Sequence, residues 1–239
     1  MGKAIAIALG VANHRVVVVG RSTRKHRGSV VGATVEDVAE QVESVGGQAV
    51  AVAGDISDSE CVVRIRSTTL ERFGRIDGIV NAASTTPHGP FFDVAPSRWM
   101  QGFSVNVVAP VLLAQAFLPE MVRQGAGRVL SMSSAGMTQE RRHRLTHEVT
   151  RAGLDRLILG LDEEFGDQGI AVNAIRIDEP LIPADARTLH DPDLPAPSDQ
   201  SVSEIELAQS VVWILQQPLE FRGQILHLND LRRLGALPK

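Results

Sequence analysis

His147 and Arg151 stand four residues apart in a stretch with helical patterning. An imidazole titrates near pH 6.5, so it can give or take a proton at neutral pH without help. A nearby cation favours the neutral ring and leaves less of it protonated. The plainer alternative is that His147 is an ordinary helix residue. Just upstream, Arg141-Arg-His-Arg144 could meet an anionic substrate or carrier, or could be a solvated loop. A second basic segment, Arg21-Ser-Thr-Arg-Lys-His-Arg-Gly28, leaves the same choice open. The chain has one cysteine, Cys61, which excludes a disulfide framework and a multi-cysteine zinc site. No metal-ligating cluster stands out. The chain contains no tyrosine, so no phenol is available as a proton donor.

These residues sit in a chain of 239 residues, 44% hydrophobic and 22% charged, which is enough for one core. The expected organisation is a single domain over residues 1–239. A net charge of −4 and a pI near 6.0 argue against a nucleic-acid partner. No apolar run reaches the ~18 residues of a membrane span, and no signal peptide is visible. A soluble cytoplasmic protein without a membrane partner is expected.

Short β-branched runs at Val16–Val19, Ala49–Ala53, Ile79–Val80, Val129–Met132, Ile170–Ile177 and Ile225–Leu228 read as fully buried strands. Helical stretches alternate with them. Thr34/Asp37, Ser57/Glu60 and Ser203/Glu206 each carry capping-box spacing. Gly46-Gly47 and Gly74 supply left-handed stops. The alternation predicts an α/β fold: a doubly wound parallel sheet with helices on both faces. The helix over Val105–Val122 is apolar on more than one face, and the next long helix, from about Thr146 to Phe165, has mixed faces. Both could pack in a core or against a second subunit. Residues 178–202 hold Pro180, Pro183, Pro192, Pro195 and Pro197, the mark of a long loop that could cover a substrate.

Five segments in this order resemble the short-chain dehydrogenase/reductase family over nearly the whole chain. Gly74-Arg-Ile-Asp-Gly-Ile-Val-Asn-Ala-Ala-Ser84 resembles its strand ending in Asn-Asn-Ala-Gly. Ser104-Val-Asn-Val107 resembles the turn with its active-site asparagine. Gly127-Arg-Val-Leu-Ser-Met-Ser-Ser134 resembles the strand with its active-site serine. Gly169-Ile-Ala-Val-Asn-Ala-Ile175 resembles the strand after the catalytic helix, and Asp55 matches the adenine-contacting aspartate.

The resemblance implies hydride transfer with NAD or NADP, a tyrosine acid, a lysine that lowers its pKa, a serine on the substrate oxygen and an asparagine holding a relay water. Carried over, Asn106, Ser134, His147 and Arg151 occupy the catalytic positions, with His147 for tyrosine and Arg151 for lysine. Gly2, Arg21, Asp55 and Asn81 occupy cofactor-binding positions. Arg21 would suit a 2′-phosphate. The family's first strand and its other loop glycines have no counterpart before Gly2. The neighbouring strands are therefore expected to pair directly or to accept a strand from elsewhere, unless Met1 is a misplaced start. Ile177-Asp178 replaces the Pro-Gly that lines the nicotinamide, and Asn229-Asp230 stands where a glycine pair is common. The favoured reading is a degenerate member, binding nucleotide weakly or not at all, that serves as a non-catalytic or partner subunit in a homo-oligomer or with a relative. The alternative is an NADP-dependent carbonyl reductase, or a different reaction in the old pocket using His147 and Ser134.

Overall fold

A computed structural model describes residues 1–26, 33–134, 142–178, 181–182 and 202–238. The elements run α1 (Gly2–Val11), β1 (Arg15–Gly20), α2 (Val35–Ser44), β2 (Gln48–Ala53), α3 (Ser59–Phe73) and β3 (Gly78–Asn81). Next come α4 (Pro96–Phe103), a π-helical turn (Ser104–Val108), α5 (Ala109–Gln124), β4 (Gly127–Ser134), α6 (Leu145–Phe165) and β5 (Ile170–Ile177). The chain continues through β6 (Leu181–Ile182), β7 (Val202–Ser203), α7 (Glu204–Gln216), β8 (Gln224–His227) and α8 (Leu228–Arg233). The proline-rich loop expected over 178–202 falls largely outside the described residues. Contacts cluster into two compact units.

The first unit comprises Met1–Asp55, Glu179–Gln216 and Leu228–Lys239. Its main sheet pairs β1 and β2 in parallel, from Arg15↔Gln48 to Gly20↔Ala53. Alternate valines of β1 and one face of α2 bury a small core: Ala6, Val16, Val18, Val35, Val38, Ala39, Val42 and Ala49. The spacing Val35, Val38/Ala39, Val42 is one helical stripe, and it explains why α2 lies on this sheet. Thr34 and Asp37 form the expected capping box. The backbone and hydroxyl of Thr34, then Arg24, hold the Asp37 carboxyl down at about 2. Ser203 and Glu206 form the second box, with Glu206 N donating to Ser203 Oγ at 3.1 Å. In the second unit the N-cap of α3 is Asp58, one residue after the expected Ser57, and its carboxylate accepts from Glu60 N at 3.0 Å.

The second unit comprises Ile56–Asp178 and Gln217–His227. Its sheet is parallel throughout, in the order β3-β4-β5-β8. The longest pairing, β4 with β5, runs from Gly127↔Ile170 to Ser134↔Ile177. Val129, Ile170, Val172 and Ala174 pack with Ala114, Leu118 and Met121 of α5 and with Leu154 and Ile158 of α6. Gly169 turns the chain into β5 at φ +84°. A Cβ there would lie 2.3 Å from the Gly125 carbonyl oxygen, so only glycine fits. Pro96–Gln124 is one continuous helical run, starting earlier than the expected Val105. By length and composition it could cross a membrane, but half of its most apolar stretch is buried.

Neither of the two expected pairings, β1 with β3 directly or each with a strand from elsewhere, is seen among the described residues. Among the described residues β1 pairs with β2 alone and β3 with β4 alone. The expectation assumed strands buried on both sides, with every unpaired main-chain group paying for its desolvation. Val17, Val19, Ile79 and Val80 are in fact only half-buried, so these strands do not carry that penalty in full. Full burial holds for β4 and β5, where the pattern is nearly unbroken.

Candidate functional site

The buried face of α6 changes character along its length. Its first turns bury Thr146, His147, Thr150 and Arg151; further on it buries Leu154, Asp155 and Ile158. The spacing is that of one continuous helical stripe. Its apolar part packs in the core of the second unit. Its polar part lies over the C-terminal ends of β3 and β4, where parallel sheets place their ligand sites.

The π-helical turn inserts Asn106 into this region at 0% exposure. Such one-turn widenings of a helix recur at functional positions. Asn106 is fully committed. Its Oδ1 accepts from Thr85 N at 3.0 Å, and its Nδ2 donates to Thr85 O and to Thr150 Oγ1, both at 2.9 Å. His147, 5% exposed, faces the same carbonyl, with Nδ1 3.4 Å from Thr85 O. A carbonyl only accepts, so this long hydrogen bond requires the proton on Nδ1.

Arg151 donates from NH1 to the Met132 carbonyl at 3.1 Å and from NH2 to the Ser84 hydroxyl. Burial pushes its guanidinium down to about 10, partly opposed by the charge of Asp155. The fold places Asn106, His147 and Arg151 in one region, and each makes a hydrogen bond to Ser84 or Thr85. Asn81 ends β3 in register with Ser131, its Oδ1 accepting from Ala83 N at 3.2 Å. Ser134 ends β4, half-buried, in register with Ile177.

A second group of polar residues was missed. Ser133 Oγ donates to Asp155 Oδ1 at 2.5 Å. Arg176 NH2 donates to Asp155 Oδ2 at 2.5 Å, and its NH1 to His227 Nε2 at 3.2 Å. His227 Nδ1 lies 2.6 Å from Asp178 Oδ2. An arginine donates only, so Nε2 of His227 accepts and Nδ1 carries the proton toward Asp178. These contacts tie the ends of β4, β5 and β8 to α6. Two signals were available: Asp155 continues the His147/Arg151 stripe, and Arg176 is a charge at the end of an otherwise apolar run.

The remaining candidates lie in the first unit. Arg21 and Asp55 approach to 3.8 Å, with side chains 71% and 39% exposed. Gly2 is the exposed first residue of α1. Of the two basic segments, residues 27–28 and 141 lie outside the described residues; Arg142, His143 and Arg144 are exposed. Cys61 is fully buried, and no metal-ligating cluster exists among the described residues.

Residues 1–178 match the family model for short chain dehydrogenases. An uncharacterized oxidoreductase of Thermotoga maritima is 34% identical over 142 residues, which is 59% of this chain and 55% of that protein. The chain thus spans little more than half the length of this relative. A crystal structure of a short chain dehydrogenase from Mycobacterium thermoresistibile superposes with a TM-score of 0.84 at 24% identity, covering 98% of this chain and 82% of that one. A metagenomic short-chain oxidoreductase in complex with NADP gives 0.76 at 23% identity, covering 94% and 90%.

Proposed function

The chain belongs to the short-chain dehydrogenase family, and from that premise we propose that it is a member whose hydride-transfer site has become a structural polar cluster. It then acts as a non-catalytic or partner subunit. The observation that carries this reading is the convergence of Asn106, His147 and Arg151 on Ser84 and Thr85. A relay asparagine must hold a water and an acid must face the substrate; here both amide protons of Asn106 are taken by Thr85 and Thr150, and Nδ1 of His147 is turned to the Thr85 carbonyl. No tyrosine exists in the chain to serve instead.

The family implies a nicotinamide dinucleotide, and one solved relative is a complex with NADP. The residues present fit it poorly. Where a lysine would reach the ribose, the guanidinium of Arg151 is turned to Ser84 and Met132. Where Pro-Gly would line the nicotinamide stands Ile177-Asp178, with the Asp178 carboxylate held by His227. We therefore expect calorimetric titration with NADPH or NADH to show no saturation at tens of micromolar, and a low-micromolar dissociation constant would overturn the reading.

Oligomerisation, through a second copy or a relative, is part of the same proposal. Val108, Leu145, Val149 and Leu159 remain 36–47% exposed along the π-turn/α5 and α6 segments. Half of the most apolar stretch within Pro96–Gln124 is buried, which favours a core helix over a membrane span. Sedimentation at micromolar concentration should show a dimer or larger, reduced to monomer by Val149→Glu. A monomeric wild type would remove this part of the proposal.

A further inference from the structure

Arg151 is a buried cation with donors to spare. It is 4% exposed, and among the described residues no ion pair includes it. Asp155, four residues further along its helix, gives one oxygen to Ser133 and the other to Arg176. Of the N–H groups of Arg151, the Met132 carbonyl and the Ser84 hydroxyl take one each. The Nε–H has no acceptor. Asn81, also 4% exposed, has the same defect: its Nδ2 has no acceptor. Asn81 ends β3 three residues before Ser84, and it pairs with Ser131, one residue before the carbonyl that Arg151 holds. Both orphaned donors therefore belong to the C-terminal end of the β3–β4 pair. Buried donors without acceptors are rare in native proteins, and a missing ligand is one recognised cause.

We propose that Arg151 and Asn81 form a subsite for the carboxylate of an anionic small molecule. A carboxylate supplies two coplanar acceptors and one negative charge. That matches the side-on edge of a guanidinium, Nε–H with a neighbouring N–H, and leaves an oxygen lone pair for the Asn81 amide. Arginine suits this task where lysine would not, because the fork is planar and fixed. A single charge also matches a single cation, whereas a phosphate dianion would exceed it. Burial raises the worth of the contact, since water cannot screen it. The subsite deepens the proposed function and rests on it, because Arg151 is then not occupied by a nucleotide.

The test is calorimetric titration of the full chain with benzoate, benzamide and inorganic phosphate at matched ionic strength. Benzoate should bind saturably, while benzamide, which keeps the shape and lacks the charge, should not. Arg151→Met should weaken benzoate at least about tenfold, the loss of a charge-assisted hydrogen bond. Arg151→Lys keeps the charge and protects folding, and should weaken binding to an intermediate degree. Independently, the arginine Nε–H resonance that disappears in Arg151→Lys should shift on benzoate addition to the wild type. Equal binding of benzamide, stronger binding of phosphate, or an unmoved resonance overturns the subsite. Tight NADPH binding alongside benzoate binding would instead refute the functional reading; absence of both refutes the subsite alone.

Discussion

Replacing Asp155 with asparagine is expected to remove about 3–5 kcal/mol of folding stability, the usual cost of breaking a buried ion pair by deleting one partner. That is a large share of the ~5–15 kcal/mol that holds a typical domain folded. Asp155 is the acid at the junction of two guanidiniums. Its side chain is 5% exposed and that of Arg176 13%, so solvent screens little of the interaction. One oxygen accepts from Arg176 and the other from Ser133. Its charge also offsets part of the burial cost of Arg151. An asparagine keeps the volume, loses the charge, and leaves two buried cations facing an amide. Asp167→Asn is the control: this carboxylate is 98% exposed on its pair with Arg222, and its loss should cost under about 1 kcal/mol. Arg151→Met should cost far less than Asp155→Asn, because it removes a buried charge together with its need for compensation. Urea unfolding monitored by circular dichroism reads all three. Equal midpoints for Asp155→Asn and Asp167→Asn would refute the role given to this residue.

The contrast between these two aspartates shows what was legible in the sequence and what was not. Strands β4 and β5 could be read because parallel strands buried on both faces leave a nearly unbroken apolar run. The capping boxes at Thr34 and Ser203 could be read because the reciprocal bonds are local, spanning three residues. The convergence of Asn106, His147 and Arg151 was legible through resemblance, which fixes position. Their hydrogen bonds were not, because Ser84 and Thr85 belong to a turn with no pattern of its own. The Asp155–Arg176–His227–Asp178 chain was hidden for a different reason. Its members come from α6, β5, the end of β5 and β8, and only the sheet register, Arg176↔His227, brings them together. Burial of β1 and β3 was overestimated because a valine run states hydrophobicity and not how many sides are covered.

His147→Tyr combined with Arg151→Lys is expected to fold and to show no NADPH-dependent carbonyl reduction. Turnover should lie at least ~1000-fold below the ~10 s⁻¹ typical of enzymes. The pair restores the family's acid and its cation in name. A phenol with pKa about 10 becomes a useful donor near neutrality only beside a cation that is directed at it. A lysine at 151 keeps the positive charge beside Asp155, so the cluster stays balanced and the variant folds. Yet its ammonium enters a site whose acceptors are the Ser84 hydroxyl and the Met132 carbonyl, and both lie ready to hold it. The new tyrosine meets the Thr85 carbonyl that now faces His147. Asn106 remains locked to Thr85 and Thr150, so it has no donor left for a relay water. At the end of β5, Ile177 and Asp178 still stand in place of Pro-Gly, with Asp178 tied to His227. Each of these obstacles is independent of the acid, and proximity lost at any one of them costs orders of magnitude. Consumption of NADPH with a panel of small ketones measures the outcome. Turnover near 1 s⁻¹ would show that the acid and its cation were the only losses, and that the polar cluster around Thr85 yields readily to a working site.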